Sequence, residues 1–218
     1  MKRLTLFAGH YGSGKTNLAV NYAVMLKEKG FDVIIADLDI VNPYFRTKDS
    51  EDELREKGIE LISSKFANSN LDIPSIPQEM YRTVQDKSKF AVMDIGGDDA
   101  GAIALGRFAP YIKEEDSYDM VFVVNFYRPL SRNAEEAMQI MREIEAASKL
   151  KFTSIVNNSN LGELTSADDV LSTSEEIQKL SELCGLPVKF TSVKESIYNQ
   201  LNNKTKNLFC LALQNKIF

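Results

Sequence analysis

Cysteine is scarce in this chain: Cys184 and Cys210 are the only two and share no close spacing, which excludes a CxxC metal or redox pair. Long apolar runs are missing as well. None approaches the ~18 residues that cross a bilayer, and the N-terminus lacks the apolar stretch of a secretory signal. A cytoplasmic chain with reduced thiols is therefore expected, and a membrane location is not. Nor is there a basic surplus, since 26 Lys and Arg stand against 31 Asp and Glu, a formal charge of −5, where a dedicated nucleic-acid binder is more often clearly basic. The charge is unevenly spread: residues 1–48 carry 7 basic and 4 acidic groups, residues 49–186 carry 14 and 26, and residues 187–218 carry 5 and 1.

What is present suffices for a folded core. Apolar residues make up 44% and charged ones 26% of 218 residues, a globular balance at the length of one domain, 1–218. The apolar run Leu4–Ala8 reads as a buried strand, and Thr16–Lys29 keeps helical spacing through Leu18, Ala19, Tyr22, Ala23, Met25 and Leu26 up to Gly30. Val33–Ala36 is a second buried strand, so the first 40 residues form a βαβ unit with parallel strands. The alternation continues with helix near Glu51–Lys57, strand Ile59–Ile62, helix Glu79–Asp86, strand Phe90–Met93, helix Asp99–Glu115 and strand Met120–Val124. Helix Ser131–Lys149, strand Phe152–Val156, helix Ser174–Leu183 and strand Val188–Phe190 complete it. About seven strands alternating with helices predict a doubly wound, mostly parallel α/β sheet in a three-layer αβα sandwich. The long irregular stretch Ser63–Gln78 has the length of a functional or mobile loop.

Between the first strand and the first helix lies Gly9-His10-Tyr11-Gly12-Ser13-Gly14-Lys15-Thr16, a match to GxxxxGK[ST] at every fixed position. Glycines let backbone N–H groups turn inward around phosphate oxygens, and the helix N-terminus adds its positive end. Lys15 then reaches the β- and γ-phosphates and the Thr16 hydroxyl ligates Mg²⁺, and Asn17 after them is expected among the nucleotide-binding residues. Carboxylates are expected at the carboxyl ends of neighbouring strands, and two sets stand there: Asp37-Leu38-Asp39 and Asp94-Ile95-Gly96-Gly97. Asp94 has the Walker B pattern, a carboxylate positioned for Mg²⁺ or its water, unless it is an ordinary turn aspartate. Alternation points Asp37 and Asp39 to one side.

Together these segments resemble the MinD/ParA-like ATPases, the CobQ/CobB/MinD/ParA group of the SIMIBI class of P-loop NTPases. The resemblance implies an Mg²⁺-ATP-binding, nucleotide-switched ATPase in which Lys15 and Asp39 act in catalysis, Asp39 positioning the attacking water. It implies Thr16, Asp37 and Asp94 around Mg²⁺ and Gly96 and Gly97 as the switch that answers the γ-phosphate. It also implies a nucleotide-dependent homodimer and a further protein partner. One departure stands out: the family's KGGxGK[ST] loop carries a signature lysine where this chain has His10, which leaves activation across a dimer in doubt. His10 either approaches a phosphate or packs beside Tyr11. At the strand end where GTP-specific relatives carry Asn-Lys-x-Asp, this chain reads Asn157-Asn158-Ser159-Asn160, without the guanine aspartate. Asn157 and Asn158 resemble the adenine-pairing asparagine of MinD-like ATPases, or else cap a turn.

Three surrounding segments remain open. Asn42–Arg46 is either a recognition surface or a loop pinned by Tyr44 or Phe45, and Arg128-Pro129 either lines the nucleotide pocket or precedes a helix cap. The apolar run from Leu208 to Leu213 predicts a helix docked on the sheet rather than a membrane anchor. The missing lysine and the 63–78 loop also admit a metabolic enzyme, a dethiobiotin-synthetase-like ligase or kinase in which ATP activates a small substrate.

Overall fold

A computed structural model describes residues 1–39, 47–63, 76–115 and 118–212; the segment 42–46, most of the 63–78 loop and the last six residues lie outside them. Eight strands form one sheet: β1 (Leu4–Ala8), β2 (Val33–Leu38), β3 (Glu60–Ser63), β4 (Phe90–Ile95), β5 (Tyr118–Val124), β6 (Ser154–Asn157), β7 (Val188–Lys194) and β8 (Leu208–Leu211). Their order is β3-β2-β4-β1-β5-β6-β7-β8, and every pairing is parallel. The helices are α1 (Lys15–Glu28), α2 (Glu51–Glu56), α3 (Arg82–Gln85), α4 (Asp99–Gly106), α5 (Ala109–Lys113), α6 (Ala134–Ser148), α7 (Ala167–Ser172), α8 (Ser174–Cys184) and α9 (Glu195–Leu201).

Strand residues are buried on both sheet faces, as continuous apolar runs require when helices cover both sides. The two-residue period divides them. Leu4, Leu6 and Ala8, with Ile34, Ala36, Met93 and Ile95, pack into one layer with Phe108, Ala137 and Met141 from the helical side. Phe7, Ile35, Val92 and Val121 face the other way, onto Leu18, Tyr22 and Leu26 of α1. Continuing that alternation by two residues places Asp94 on the α1 side beyond Val92 and Asp37 beyond Ile35, so both carboxylates emerge toward the start of α1.

Four expectations change. The 99–115 helix is broken into α4 and α5, with Pro110 in the first turn of α5, where its missing N–H costs nothing. Helices α7 and α9 were not legible as periodic stretches; α7 is only six residues long and rests on a capping box between Ser166 and Asp169. The helix on Ser131–Lys149 begins at Ala134, where the Asn133 side chain accepts from Glu136 N–H. The C-terminal run is a strand rather than a helix: residues Leu208–Leu211 add β8 to the sheet edge, and the Asn21 amide on α1 accepts from Ala212 N–H at 2.8 Å and donates to its carbonyl at 2.9 Å. No helix among the described residues is long and apolar enough to cross a membrane.

Candidate functional site

In the strand order, β1 stands at the reversal between β4 and β5, where a parallel sheet opens a crevice beyond its carboxyl ends. The loop from β1 to α1 fills that position. Gly14 holds a left-handed φ of +86°, and a Cβ on it would lie 2.3 Å from the Asn158 amide nitrogen, so glycine is required on both counts. From the end of β6, Asn158 Nδ2 donates to the Ser13 carbonyl at 2.6 Å, while its Oδ1 accepts from the Ser192 hydroxyl. From the β5 side, Arg128 Nε donates to the Gly12 carbonyl at 2.9 Å. The loop is thus gripped from two strand ends.

Lys15 is buried, and its ammonium donates to the His10 carbonyl at 3.2 Å. Burial depresses its pKa, against the opposing charges of Asp94, Asp39 and Asp98. Asp94, fully buried, is pushed up to about 6 by loss of solvent, which outweighs Lys15 and the hydroxyls of Thr16 and Thr47 that stabilise its charge. Thr47 donates to Asp94 Oδ2 at 3.0 Å. Among the described residues Asp94 Oδ1, which is buried, has no hydrogen-bond partner, and neither has Ser13 Oγ. A buried carboxylate oxygen without a donor is costly unless something else meets it.

Asp37 lies directly beside Asp94 on the adjoining strand, and its Oδ1 accepts from the Asp39 N–H at 2.9 Å. Asp39 faces the turn after β4: a Cβ on Gly96 would lie 3.4 Å from Asp39 Oδ1. Gly97 is closer still to the loop, since a Cβ there would come within 2.7 Å of Tyr11 backbone and 2.8 Å of Lys15 Nζ. Asp98 then caps α4, accepting from Gly101 N–H at 2.9 Å.

Lys15, Thr16, Asp37, Asp39, Asp94, Gly96 and Gly97 therefore converge, with Gly9, Gly12, Ser13 and Gly14 forming the loop between them. The asparagines are placed differently. Asn157 donates to the Thr173 hydroxyl at 2.9 Å and accepts from Ser159 N–H at 3.1 Å, and like Asn158 it is buried with its amide engaged internally. Asn17 accepts from Asn21 on the next turn of α1. The His10 ring sits 3.0 Å from the Tyr11 carbonyl. Sequence reasoning missed Thr47, which no motif marks, and Asn125, a fully buried asparagine just after β5 whose Oδ1 accepts from Tyr127 N–H at 3.0 Å.

A glycine-bent loop at the start of a helix, a buried lysine and a carboxylate on the adjoining strand define a P-loop nucleotide-binding domain. Residues 4–184 match the model of the CobQ/CobB/MinD/ParA nucleotide binding domain, and the chain belongs to that family. No curated protein matches the sequence. Among solved structures, the cell division protein FtsY of Thermotoga maritima superposes with a TM-score of 0.60 at 17% identity over 87% of this chain and 61% of its own. The signal recognition particle receptor FtsY of Elizabethkingia anophelis, in complex with GDP, gives 0.55 at 16% over 88% and 58%. The signal recognition particle 54 kDa protein of Aeropyrum pernix, also with GDP, gives 0.54 at 17% over 86% and 40%. This chain thus spans about three-fifths or less of those proteins, and at such identities the likeness is one of fold.

Proposed function

We propose that the protein is an Mg²⁺-dependent ATPase of the cytoplasm, acting as a nucleotide-switched protein on a partner or through pairing of two copies. The observation that carries this reading is the buried Asp94 Oδ1, without a hydrogen-bond partner among the described residues, on a carboxylate whose charge the Thr16 hydroxyl and Lys15 stabilise. No cluster of three His, Cys, Asp or Glu side chains among the described residues would hold a metal alone. That suits Mg²⁺, which is usually held by one or two carboxylates, phosphates and waters. Asp94 and Thr16 would hold it, with Asp37 alongside. The ion would neutralise charge on the β- and γ-phosphate oxygens.

The chain's own residues supply the rest. Lys15 exchanges the His10 carbonyl for phosphate oxygens, an exchange of a neutral acceptor for a charged one. Asp39 orients the water that attacks the γ-phosphorus as the bond to the β–γ bridging oxygen breaks, the water's proton leaving with the phosphate. Since Gly97 packs against both Tyr11 and Lys15, a γ-phosphate entering beside Lys15 must move the turn at 96–99, which is the switch. Adenine is favoured because residues 157–162 contain no carboxylate to pair with guanine. The GDP in the FtsY and 54 kDa structures makes guanine the comparison to run.

The test is phosphate release from ATP and from GTP, each with Mg²⁺, by the wild type, Lys15→Ala and Asp39→Asn. Slow ATP turnover lost in both variants, with ATP still bound by Asp39→Asn, supports the reading. Turnover unaffected by Lys15→Ala contradicts it, and preference for GTP corrects the base.

A further inference from the structure

The phosphate loop of this chain carries one lysine and no second cation, His10 standing where the family's signature lysine would be. A guanidinium lies on the loop nonetheless. Arg128 is exposed, and its Nε donates to the Gly12 carbonyl at 2.9 Å. Its Nε and Cζ lie 3.4 and 3.7 Å from where a Gly12 Cβ would sit. Among the described residues no carboxylate forms an ion pair with it. Of the five N–H groups of a guanidinium, one is used on the loop and four are left.

The backbone beneath it is fixed. The Asn125 carbonyl accepts from Arg128 N–H at 3.1 Å and from the Ser131 hydroxyl at 2.8 Å. Phe126 N–H donates to Ser159 Oγ at 3.0 Å, and the Tyr127 hydroxyl reaches the Asp169 carbonyl at 2.9 Å. So tightly braced a turn holding an exposed arginine over a glycine of the phosphate loop matches how cations are preorganised for transferring phosphoryl groups.

Resting on the nucleotide reading above, we propose that Arg128 supplies, from the same chain, the second phosphate cation that the loop itself lacks, with its outer N–H groups on the terminal phosphate of a bound triphosphate. Its reach is toward the γ-phosphate end, because Gly12, whose carbonyl it holds, follows directly on Tyr11, against whose backbone Gly97 packs beside the Lys15 ammonium.

The experiment is calorimetric titration of ATP and ADP with Mg²⁺ into the wild type, Arg128→Ala, Arg128→Gln and Lys15→Ala, with the melting temperature of each free protein. Arg128→Gln should lose about tenfold or more of ATP affinity, while its ADP affinity and melting temperature stay near wild type, as loss of a charged hydrogen bond predicts. Arg128→Ala, which also gives up the Gly12 contact, should lose at least as much ATP affinity. Glutamine keeps a donor for the Gly12 carbonyl but no charge. Wild-type ATP affinity in Arg128→Gln, or equal losses for ATP and ADP in that variant, would overturn the proposal and leave Arg128 as a brace for the loop. Loss of binding in Lys15→Ala alone, with both Arg128 variants unaffected, sinks the proposal and spares the nucleotide reading; no nucleotide binding by the wild type sinks both.

Discussion

The Thr47 hydroxyl donates to Asp94 Oδ2 at 3.0 Å across 47 residues of sequence, joining the chain that follows Asp39 to the carboxylate at the end of β4. It is one of two hydroxyls on that carboxylate, the other being Thr16. Thr47→Val removes a hydrogen bond to the charged form and raises the Asp94 pKa above its value of about 6. Affinity for Mg²⁺-nucleotide should fall by about three- to tenfold near neutral pH, and the shortfall should shrink as pH rises. Titrations across that range check it, and superimposed curves for wild type and variant would show that Thr47 does not support Asp94.

Asp94 itself trades stability for function. Its folded pKa lies above its unfolded one, so the folded state binds the extra proton between about 4 and 6, and this group's contribution to stability is lost as pH rises through that window. Asp94→Asn should therefore raise the melting temperature of the free protein near pH 7 while abolishing Mg²⁺-dependent nucleotide binding. Thermal melts and calorimetry on the same preparation test both halves.

Asp119 has the opposite sign. Burial alone would raise its pKa, but Lys189 and the hydroxyls of Thr153 and Ser154 outweigh it and hold the carboxyl below its usual range. That stability is present above the unfolded pKa and is lost as pH falls through the lower, folded one. Asp119→Asn should cost about 1–3 kcal/mol at pH 7 and nothing at strongly acid pH. Urea unfolding at the two pH values measures the difference.

Asn158→Ala releases the Ser13 carbonyl and the Ser192 hydroxyl together. A destabilisation of about 1–2 kcal/mol is expected. Nucleotide affinity should fall with it, because the loop loses one of its two strand-end anchors. Faster amide exchange over residues 12–15 in the variant is the specific sign of that loosening.

The central part of the fold was legible because its signals are local. Continuous apolar runs gave the inner strands, and the glycine-rich loop between β1 and α1 fixed where the site must lie. That Asp37 and Asp94 share a face follows only once the core layers and the β2–β4 pairing are known. The sheet edge was not legible, since Leu208–Leu211 is too short for periodicity to separate strand from helix, and its partners are Thr191–Lys194 and, through Asn21, the distant α1. The same holds for Thr47 and Asn125, whose roles come from tertiary contacts that no spacing announces. Asn157 and Asn158 were legible as polar residues at a strand end, but which groups their amides meet is decided by Thr173, Ser13 and Ser192, far away in sequence.

The account stands on one claim, that the loop around Lys15 with Asp94 binds a nucleoside triphosphate and Mg²⁺. Calorimetric titration of the purified chain with Mg²⁺-ATP, Mg²⁺-GTP and each nucleotide in EDTA tests it directly. The predicted result is saturable ATP binding that weakens when Mg²⁺ is removed, exceeds GTP binding and disappears in Lys15→Ala. Heats of dilution alone for both nucleotides, or binding that Lys15→Ala leaves intact, would contradict it.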